Sequence, residues 1–472
     1  MSLSRLTGLA LLIGSLGLLA AENRSFAQTT SSPSPPAYQA LRFDEDWSYL
    51  KDPRLRKDPW DPVKYVALGK DGWYLTLGGE ARLRYEGFRN NAFGAGPQTD
   101  VGYLLQRYMF HADLHMGGHV RVFAQLQSGL ENGRNGGPRA TDEDKLEFHQ
   151  AFIDYKASGD AWHFVTFRLG RQEFEYGSGR LFGASELLNV RRSFDGFRVT
   201  GQAGSWTFHG IVAKPAETNA GFFDDSPDNR QTVWGAGAVH PIPHLRGGNA
   251  SLYYIGYDRK RGQFQGGAGR EQRHTLGSRL FGKAGGLEYN EELVYQWGTL
   301  AEGPIRAWAA ATDTSYVFAR MRFAPQPGIR IDAASGDNDP QDKRLESFNP
   351  LFPSTAYSGK IGLLGPTNII DLVPTFRCKP QKRVIVLGEW GIFWRQNIND
   401  GIYGISVNLI KNGKLSRARY VANQPDLQVQ WLFSRHLTLV GVFTQFRAGQ
   451  FIQDTPPSKT IGYATVYATY RF

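Results

Sequence analysis

Charged side chains recur at every second position along several short segments of this sequence. In the first of these segments, Arg82 and Arg84 alternate with apolar residues between Glu80 and Glu86. Successive side chains of a β-strand point to opposite faces, so this spacing gathers the charges on one face. A guanidinium group stays protonated at physiological pH, and its planar fork matches the two oxygens of a carboxylate. The pattern therefore predicts a surface that binds acidic ligands reversibly.

The same alternation identifies further positions that we expect to face a polar interior. Together the candidates are Arg82, Arg84, Arg107, Asp113, Arg121, Arg168, Arg192, Arg198, Arg273, Arg279, Arg330, Asp332, Glu389 and Arg395. One interpretation is that these residues form ion pairs across neighbouring strands and only hold the strands together. The other is a selectivity path, in which several moderate binding sites in series let an anion pass. The net charge of +10 is compatible with both, so both stay open for each single position.

The composition favours strands as the elements that position these residues. The chain has 472 residues, with 55 glycines, 13% aromatic residues and a mean hydropathy of -0.40. After residue 21, no segment approaches the roughly 18 consecutive apolar residues of a membrane-spanning helix, which excludes a helical membrane protein. In a transmembrane β-barrel, lipid-facing and lumen-facing residues alternate, so the average hydropathy stays polar. The single cysteine, Cys378, excludes an intramolecular disulfide.

The N-terminus is typical of an exported protein. Arg5 precedes an apolar run at residues 6–21, and Ser25 and Ala27 are small residues suited to cleavage. We predict a signal peptide at residues 1–27, a mature N-terminal segment at 28–72 and a single barrel domain at 73–472.

Runs of alternating apolar and polar residues recur from Trp73 onward, and we count about 18 of them. They centre on residues 80, 109, 124, 151, 167, 196, 208, 236, 254, 277, 292, 315, 332, 372, 389, 425, 440 and 466. Short turns at residues 117–118, 158–160, 203–204, 284–286, 325–327, 379–380 and 434–435 alternate with long polar segments at 88–100, 132–144, 174–186, 214–230, 260–270, 339–366, 397–416 and 449–458.

An even number of strands with short periplasmic turns and long extracellular loops is typical of bacterial outer-membrane barrels. The sequence therefore predicts an all-β fold, a transmembrane antiparallel β-barrel of about 18 strands in the outer membrane of a Gram-negative bacterium. The alternative, a soluble β-sandwich, would not need so many uninterrupted strands.

Several motifs resemble the alginate export family of outer-membrane proteins, and they extend through almost the entire mature chain. They are YLTLGGEARLRYE at 74–86, Arg107 with HAD at 111–113, GRQE at 170–173, YGSGRL at 176–181, SFDG at 193–196, ASGD at 334–337 and FNPLFP at 348–353. The final strand, residues 463–472, also resembles the C-terminal targeting strand of bacterial barrels.

The family resemblance implies an 18-stranded barrel with a constricted, arginine-lined pore. Such a pore secretes an anionic polysaccharide, alginate or a related polyuronate, passively and in partnership with periplasmic export proteins. The resemblance also implies loops that cover the pore, a role that we assign to residues 214–230 and 339–366. The other expected partners are outer-membrane lipid, lipopolysaccharide and the barrel assembly machinery.

Other functions remain as alternatives. An uptake porin for small anions or acidic oligosaccharides would use the same basic lumen, whereas a purely structural barrel would have a plugged one. An enzyme would need a nucleophile with a base, yet no Gly-x-Ser-x-Gly or His-Glu-x-x-His motif accompanies the histidines at 111, 115 and 149. Asp337, Asp339 and Asp342 offer oxygen ligands without a full calcium-loop pattern. We expect no catalytic site, cofactor, metal or nucleic-acid partner.

Overall fold

The computed structural model describes residues 38–96, 99–159, 162–355 and 359–472, and eighteen long strands within them form a barrel wall. In chain order the strands are β1 (Trp73–Arg89), β2 (Val101–Met116), β3 (Val120–Asn132), β4 (Asp144–Gly159), β5 (Trp162–Gln172), β6 (Phe194–Ala203), β7 (Trp206–Glu217), β8 (Gln231–Pro241), β9 (Gly248–Phe264), β10 (Gly267–Ala284), β11 (Leu287–Leu300), β12 (Gly303–Tyr316), β13 (Gln326–Ala334), β14 (Ile369–Gln381), β15 (Val384–Trp394), β16 (Tyr420–Leu432), β17 (Leu437–Ala448) and β18 (Ile461–Arg471). Every predicted strand centre falls within one of them. The predicted signal peptide lies outside the described residues.

The strands close into a barrel because each pairs antiparallel with the next and β1 also pairs with β18. At this closure, Glu80 of β1 lies opposite Arg471 of β18. Alternation separates the two faces of the wall: Leu83 and Val466 are 48% and 66% exposed on the outside, whereas Arg82 is 2% exposed on the inside. The predicted antiparallel barrel of 18 strands is confirmed. Among the described residues, no helix is long and apolar enough to cross a membrane.

Long loops alternate with short turns over most of the chain, but the connections at 265–266, 285–286 and 301–302 are all short. The predicted turn residues 326–327 and 379–380 lie within β13 and β14. Long loops occupy residues 90–100, 133–143, 173–193, 218–230, 335–368, 395–419 and 449–460. The long loop predicted at 260–270 is wrong, because β9 and β10 continue through it and are joined only by Gln265 and Gly266. Their ladder resumes after a bulge with Gly262 opposite Gly269. A paired hairpin and a loop can both be rich in polar residues, so polarity alone did not distinguish the two.

Short elements precede the barrel and lie in its loops. Before β1, the chain forms 3-10 turns at Arg42–Asp44, Ser48–Lys51 and Pro53–Leu55, a helical turn at Asp61–Lys64 and a short strand at Val66–Ala67 that pairs with β1. The loops contain helical turns at Asn91–Gly94 and Gln450–Gln453, a 3-10 turn at Gly413–Leu415 and short strands at Ser226–Pro227, Ile402–Tyr403 and Leu409–Lys411.

An apolar core lies inside the barrel, between the wall and two loops. The ring of Phe182, in loop 173–193, lies 5.4 Å from that of Phe352, in loop 335–368. Phe352 also packs edge-on against Phe194 of β6 and Tyr257 of β9. Burying each large apolar side chain contributes about 1.5–3 kcal/mol. The two loops therefore fold into the barrel instead of extending into the medium.

Candidate transport pathway

The inward-facing arginines of β1 and β2 bind loop 173–193, which we call the inner loop. Arg82 donates hydrogen bonds to the carbonyl oxygens of Glu186 and Leu188 at 2.7 and 2.8 Å. Arg107 pairs with the carboxylate of Glu186 at 2.9 Å, and Arg84 donates to a further carbonyl oxygen of the same loop. The structure places these three arginines on the inner face of the wall, where their guanidinium groups hold a loop.

A buried ion network surrounds Arg107. Its guanidinium approaches Glu80 to 2.5 Å, and Arg471 of β18 pairs with Glu80 at 2.7 Å and with Glu186 at 3.0 Å. Burial raises the pKa of the Glu186 carboxyl, but Arg107 and Arg191 outweigh it and hold that pKa below its ordinary value. The network joins β1, β2 and β18 to the inner loop, so it also stabilises the closure of the barrel.

The segment before β1 occupies the periplasmic half of the same side of the interior. Arg121 pairs with Asp113 at 2.6 Å and donates to the carbonyl oxygen of Phe43 at 2.6 Å. Arg168 forms a bidentate pair with Asp154 at 2.7 and 2.8 Å and lies 4.2 Å from the ring centre of Phe43. These four charged wall residues therefore hold the N-terminal segment in place.

The inner loop and the N-terminal segment meet inside the barrel. Arg191 pairs with Glu173 at 2.6 Å and donates from Nη2 to the carbonyl oxygen of Ala40 at 3.0 Å. Arg198 lies opposite Arg168 in the pairing of β5 and β6, next to the same segment. The two segments are thus joined to each other as well as to the wall.

Two further predicted arginines bind the other large loops. Arg273 pairs with Glu271 at 2.7 Å and donates to the carbonyl oxygen of Ser347, in loop 335–368. Arg395 begins loop 395–419 and lies 3.9 Å from the ring centre of Phe451. Its guanidinium donates to the carbonyl oxygens of Ile398, Asp400, Gly413, Ser416 and Ala418. Both guanidinium groups are enclosed by loop residues.

Open space remains in three cavities whose walls carry more cations than carboxylates. The lower cavity, about 370 Å³ in the periplasmic half, is lined by Arg279, Lys283, Arg330 and Arg377 and by the carboxylates of Glu288, Asp313 and Glu389. The larger upper cavity, about 480 Å³, is lined by Arg84, Arg139, Arg192 and Lys360 and by Glu86. The smaller upper cavity, about 270 Å³, is lined by Arg191, Arg192 and Arg259 and, among the described residues, by no carboxylate.

A three-residue contact, which we call the junction, links the lining of the larger upper cavity to that of the lower cavity. Lys360 of loop 335–368 lines the larger upper cavity, Glu389 of β15 lines the lower cavity, and the two side chains form a salt bridge of 2.9 Å. Arg330 of β13 lies 3.7 Å from Glu389 and 3.7 Å from Asp332. An anion that passes from one cavity to the other meets these side chains.

Arg192 lies where the two upper cavities adjoin, since it lines both. Its Nη1 is buried and makes no hydrogen bond to any described residue, and its guanidinium lies 5.4 Å from the ring centre of Phe352. Burial lowers the pKa of Arg192 to about 10, so the group stays protonated at neutral pH. Arg192 is therefore a charged residue at both upper cavities whose Nη1 lacks a hydrogen-bond partner among the described residues.

The predicted interior residues fall into two groups. Arg84, Arg192, Arg279, Arg330 and Glu389 line the upper and lower cavities, and Arg84 also binds the inner loop. A second set binds loops, the N-terminal segment or neighbouring strands: Arg82, Arg107, Asp113, Arg121, Arg168, Arg198, Arg273, Asp332 and Arg395. The strand period missed Lys360, Arg139 and Arg191 because these cavity residues lie in loops.

A closed antiparallel barrel of eighteen strands with a charged inner face and an apolar outer face defines an outer-membrane channel. Similar solved structures include OpdO of Pseudomonas aeruginosa (TM-score 0.57, 11% identity, 84% of this chain and 97% of that one) and OpdK of the same species with vanillate (TM-score 0.54, 11% identity, 84% and 98%). A BenF-like porin from Pseudomonas fluorescens Pf-5 is a third (TM-score 0.56, 11% identity, 84% and 98%). At these identities the likeness concerns the fold.

The chain belongs to the alginate export family, because the family model described as Alginate export matches residues 73–466. This match confirms the resemblance carried by the sequence motifs. None of the curated proteins compared with the chain matches it. Family and fold together place the protein in the outer membrane of a Gram-negative bacterium as a β-barrel channel; proteins of this kind are not enzymes.

Proposed function

We propose that this protein is a passive channel through which an anionic polysaccharide, alginate or a related polyuronate, reaches the cell surface. The observation that carries the proposal is the surplus of cations around the open space above and below the junction. A polyuronate carries a carboxylate on each sugar, so successive sugars would meet successive cationic groups. Family membership supports a polysaccharide substrate.

Transit requires each binding site to be moderate, because tight binding would block the channel. Several of these cations already have their own hydrogen-bond or ion-pair partner on the barrel wall. Arg279 donates to Asn290 at 2.6 Å, and Arg259 pairs with Glu271 at 2.7 Å. A uronate carboxylate at such a site competes with the internal partner, so its binding is weakened and its release is eased. Arg192 differs, since its Nη1 has no hydrogen-bond partner within the described residues, and we expect it to bind uronate most strongly.

The junction must open for a polymer to pass. Separation of Lys360 from Glu389, by movement of loop 335–368, would connect the upper and lower cavities. A passive channel has no direction of its own, so the direction of export would come from periplasmic proteins that deliver the polymer.

Single-channel recording tests the proposal. The refolded full-length chain would be inserted into planar bilayers, with the reversal potential measured in a salt gradient and the current titrated with oligomannuronate and oligoguluronate. We expect anion selectivity and block that depends on uronate concentration. An unselective channel that is indifferent to both uronates would contradict the proposal.

Two variants test whether block of the current by uronate depends on the cavity residues. Arg192→Ala should weaken uronate block about tenfold or more, because a hydrogen bond to a charged group contributes about 1.5–3 kcal/mol. Arg447→Ala removes the same charge from an exposed position on β17, where Arg447 contacts only Gln445 among the described residues. Uronate should block this control as strongly as it blocks the wild type. Equal weakening of uronate block in both variants would point to a general charge effect.

The second candidate is an uptake porin for small acids, which the likeness to barrels such as OpdK with vanillate favours. Length dependence separates the two candidates. An export channel for a polymer should be blocked more strongly by longer oligouronates, because they span several cationic sites at once. An uptake porin for small acids should bind a monomeric carboxylate as well as it binds an oligomer of the same sugar.

A further inference from the structure

Three carboxylates from separate segments meet at the extracellular rim, outside the cavities described above. Glu147 lies near the start of β4, whereas Asp224 and Asp225 lie in loop 218–230. A carboxylate oxygen of each lies within 4.8 Å of one from both others. We call these residues the rim cluster. Their separation in sequence explains why no metal-ligand spacing was visible there.

A buried carboxylate without a partner adjoins the rim cluster. Asp144 is 1% exposed, and its Oδ1 makes no hydrogen bond to any described residue. Asp144 precedes Glu147 by three residues on β4, and the charges that act on it most strongly are those of Asp225, Glu147 and Asp224, so it lies near the cluster. A buried carboxylate is unfavourable unless it is paired or coordinates a metal.

Protein cations compensate this charge only in part. Arg171 pairs with Asp195 at 2.9 Å and approaches Glu147 only to 3.6 Å. Lys145 follows Asp144 directly, but its ammonium group lies 5.9 Å from the ring centre of Phe222. The rim cluster therefore retains a negative charge that a small cation would neutralise.

We propose that Glu147, Asp224 and Asp225 bind a divalent cation of the calcium type, with the carboxyl group of Asp144, unpaired among the described residues, close by. Carboxylate oxygens are the ligands that Ca²⁺ prefers, and Ca²⁺ accepts six to eight oxygens in flexible geometry, which suits a site completed by a loop and by water. Mg²⁺ demands stricter octahedral geometry and keeps more of its own water.

The ion would fasten loop 218–230 to the barrel wall. Two backbone hydrogen bonds already join them, from Leu146 N–H to the Gly221 carbonyl at 3.3 Å and from Phe223 N–H to the Leu146 carbonyl at 2.9 Å. The cluster lies beside this contact, because Glu147 and Asp225 flank it and the Asp225 N–H donates to the Glu147 carboxylate at 3.0 Å. Bound Ca²⁺ should therefore hold the loop more rigidly than these hydrogen bonds alone.

Calorimetric titration of the refolded full-length chain in detergent, after treatment with a chelator, tests the site. We expect one Ca²⁺ per chain with a dissociation constant of about 10⁻⁴–10⁻³ M or tighter, the range of extracellular calcium modules, and weaker binding of Mg²⁺. Asp224→Asn removes an exposed ligand and should leave folding intact while weakening Ca²⁺ binding about tenfold or more. Asp454→Asn is the matched control, since Asp454 is an exposed carboxylate in another extracellular loop.

Trypsin provides a second measurement, because Lys214 and Arg230 lie on either side of the loop. Ca²⁺ should slow cleavage there in the wild type and in Asp454→Asn, but not in Asp224→Asn. The proposal is overturned if the wild type shows no saturable Ca²⁺ binding. It is equally overturned if Asp224→Asn binds Ca²⁺ as tightly as Asp454→Asn does.

Discussion

The ammonium group of Lys360 lies 2.9 Å from the carboxylate of Glu389, a contact that ties loop 335–368 to the wall strand β15. Lys360 lines the larger upper cavity and Glu389 the lower cavity, so this single salt bridge links the linings of the two open spaces. Both side chains are largely shielded from water, at 16% and 11% exposure, which makes the pair stronger than a surface ion pair. Substitution of either residue of this ion pair therefore tests whether the contact limits passage.

We predict that Lys360→Met and Glu389→Gln both raise single-channel conductance, because each variant breaks the same salt bridge. Their effects on selectivity should be opposite. Lys360→Met removes a cation from the path and should reduce anion selectivity, whereas Glu389→Gln removes a carboxylate and should increase it. Conductance and reversal potential in planar bilayers measure both properties. Unchanged conductance in both variants would mean that the contact does not limit passage.

The two groups of interior arginines should respond differently to substitution. Arg107→Ala should lower the free energy of unfolding by about 3–5 kcal/mol, because it leaves the buried carboxylate of Glu80 without its closest partner. Arg192→Ala should change it by about 0.5 kcal/mol or less, since Arg192 forms no salt bridge with the described residues. Denaturant unfolding in detergent micelles measures both, and equal losses would refute the division into loop-binding and cavity-lining arginines.

The barrel was predictable from sequence because side chains along each strand of the wall alternate between its two faces. Alternation with a period of two identified every strand, and the closure between β1 and β18 followed from the even count. Arg192 was predicted as a strand residue, but it lies in loop 173–193, because β6 begins only at Phe194. The rule failed at residues 260–270, where a polar segment remains paired across a hairpin. Polar residues indicate contact with water, and a paired hairpin and a loop both make such contact.

What lies inside the barrel was not predictable by the same rule. Arg82 and Arg192 were assigned the same role, yet Arg82 is bound by carbonyl oxygens of the inner loop while Arg192 faces open space. The difference depends on where loop 173–193 folds, which is set by contacts with residues distant in sequence, such as that between Arg191 and Ala40. Loop positions have no period, so Lys360 was also missed.

Stability should depend on pH through Asp337, which lies 1% exposed in loop 335–368 near Asp400, Asp342 and Glu346. Burial, with the charge of Asp400, raises the pKa of the Asp337 carboxyl from 3.8 to about 7. Between these two values the folded protein holds a proton that the unfolded chain has lost. The free energy of unfolding therefore falls as pH rises through this window and stays low above it.

Asp337→Asn removes this titration and should flatten the dependence. We expect the variant to be more stable than the wild type at pH 8 by roughly 1–4 kcal/mol, since one pKa unit corresponds to about 1.4 kcal/mol. At pH 4 the difference should nearly vanish, because Asp337 is then neutral in the folded protein. Denaturant midpoints at the two pH values measure the change. A difference of the same size at both would show that another property of the side chain is responsible.

Phe43 anchors the N-terminal segment to the wall together with the arginine contacts described above, so Phe43→Ala should loosen the segment. Phe43 is 4% exposed, packs edge-on against Phe123 and Phe152, and lies under the guanidinium of Arg168. Loss of a buried phenylalanine costs about 3–5 kcal/mol, which is enough to loosen a short segment while eighteen hydrogen-bonded strands stay closed.

Loosening of this segment should raise single-channel conductance and speed trypsin cleavage at the lysines and arginines of positions 51–57, because a protease needs a locally unfolded chain. Leu68→Ala is the matched control, because Leu68 lies in the same part of the chain but is 43% exposed. We expect the control to conduct and to resist trypsin like the wild type. If Phe43→Ala is cleaved faster but conducts normally, the segment does not obstruct the path, and the limiting contact is the salt bridge between Lys360 and Glu389.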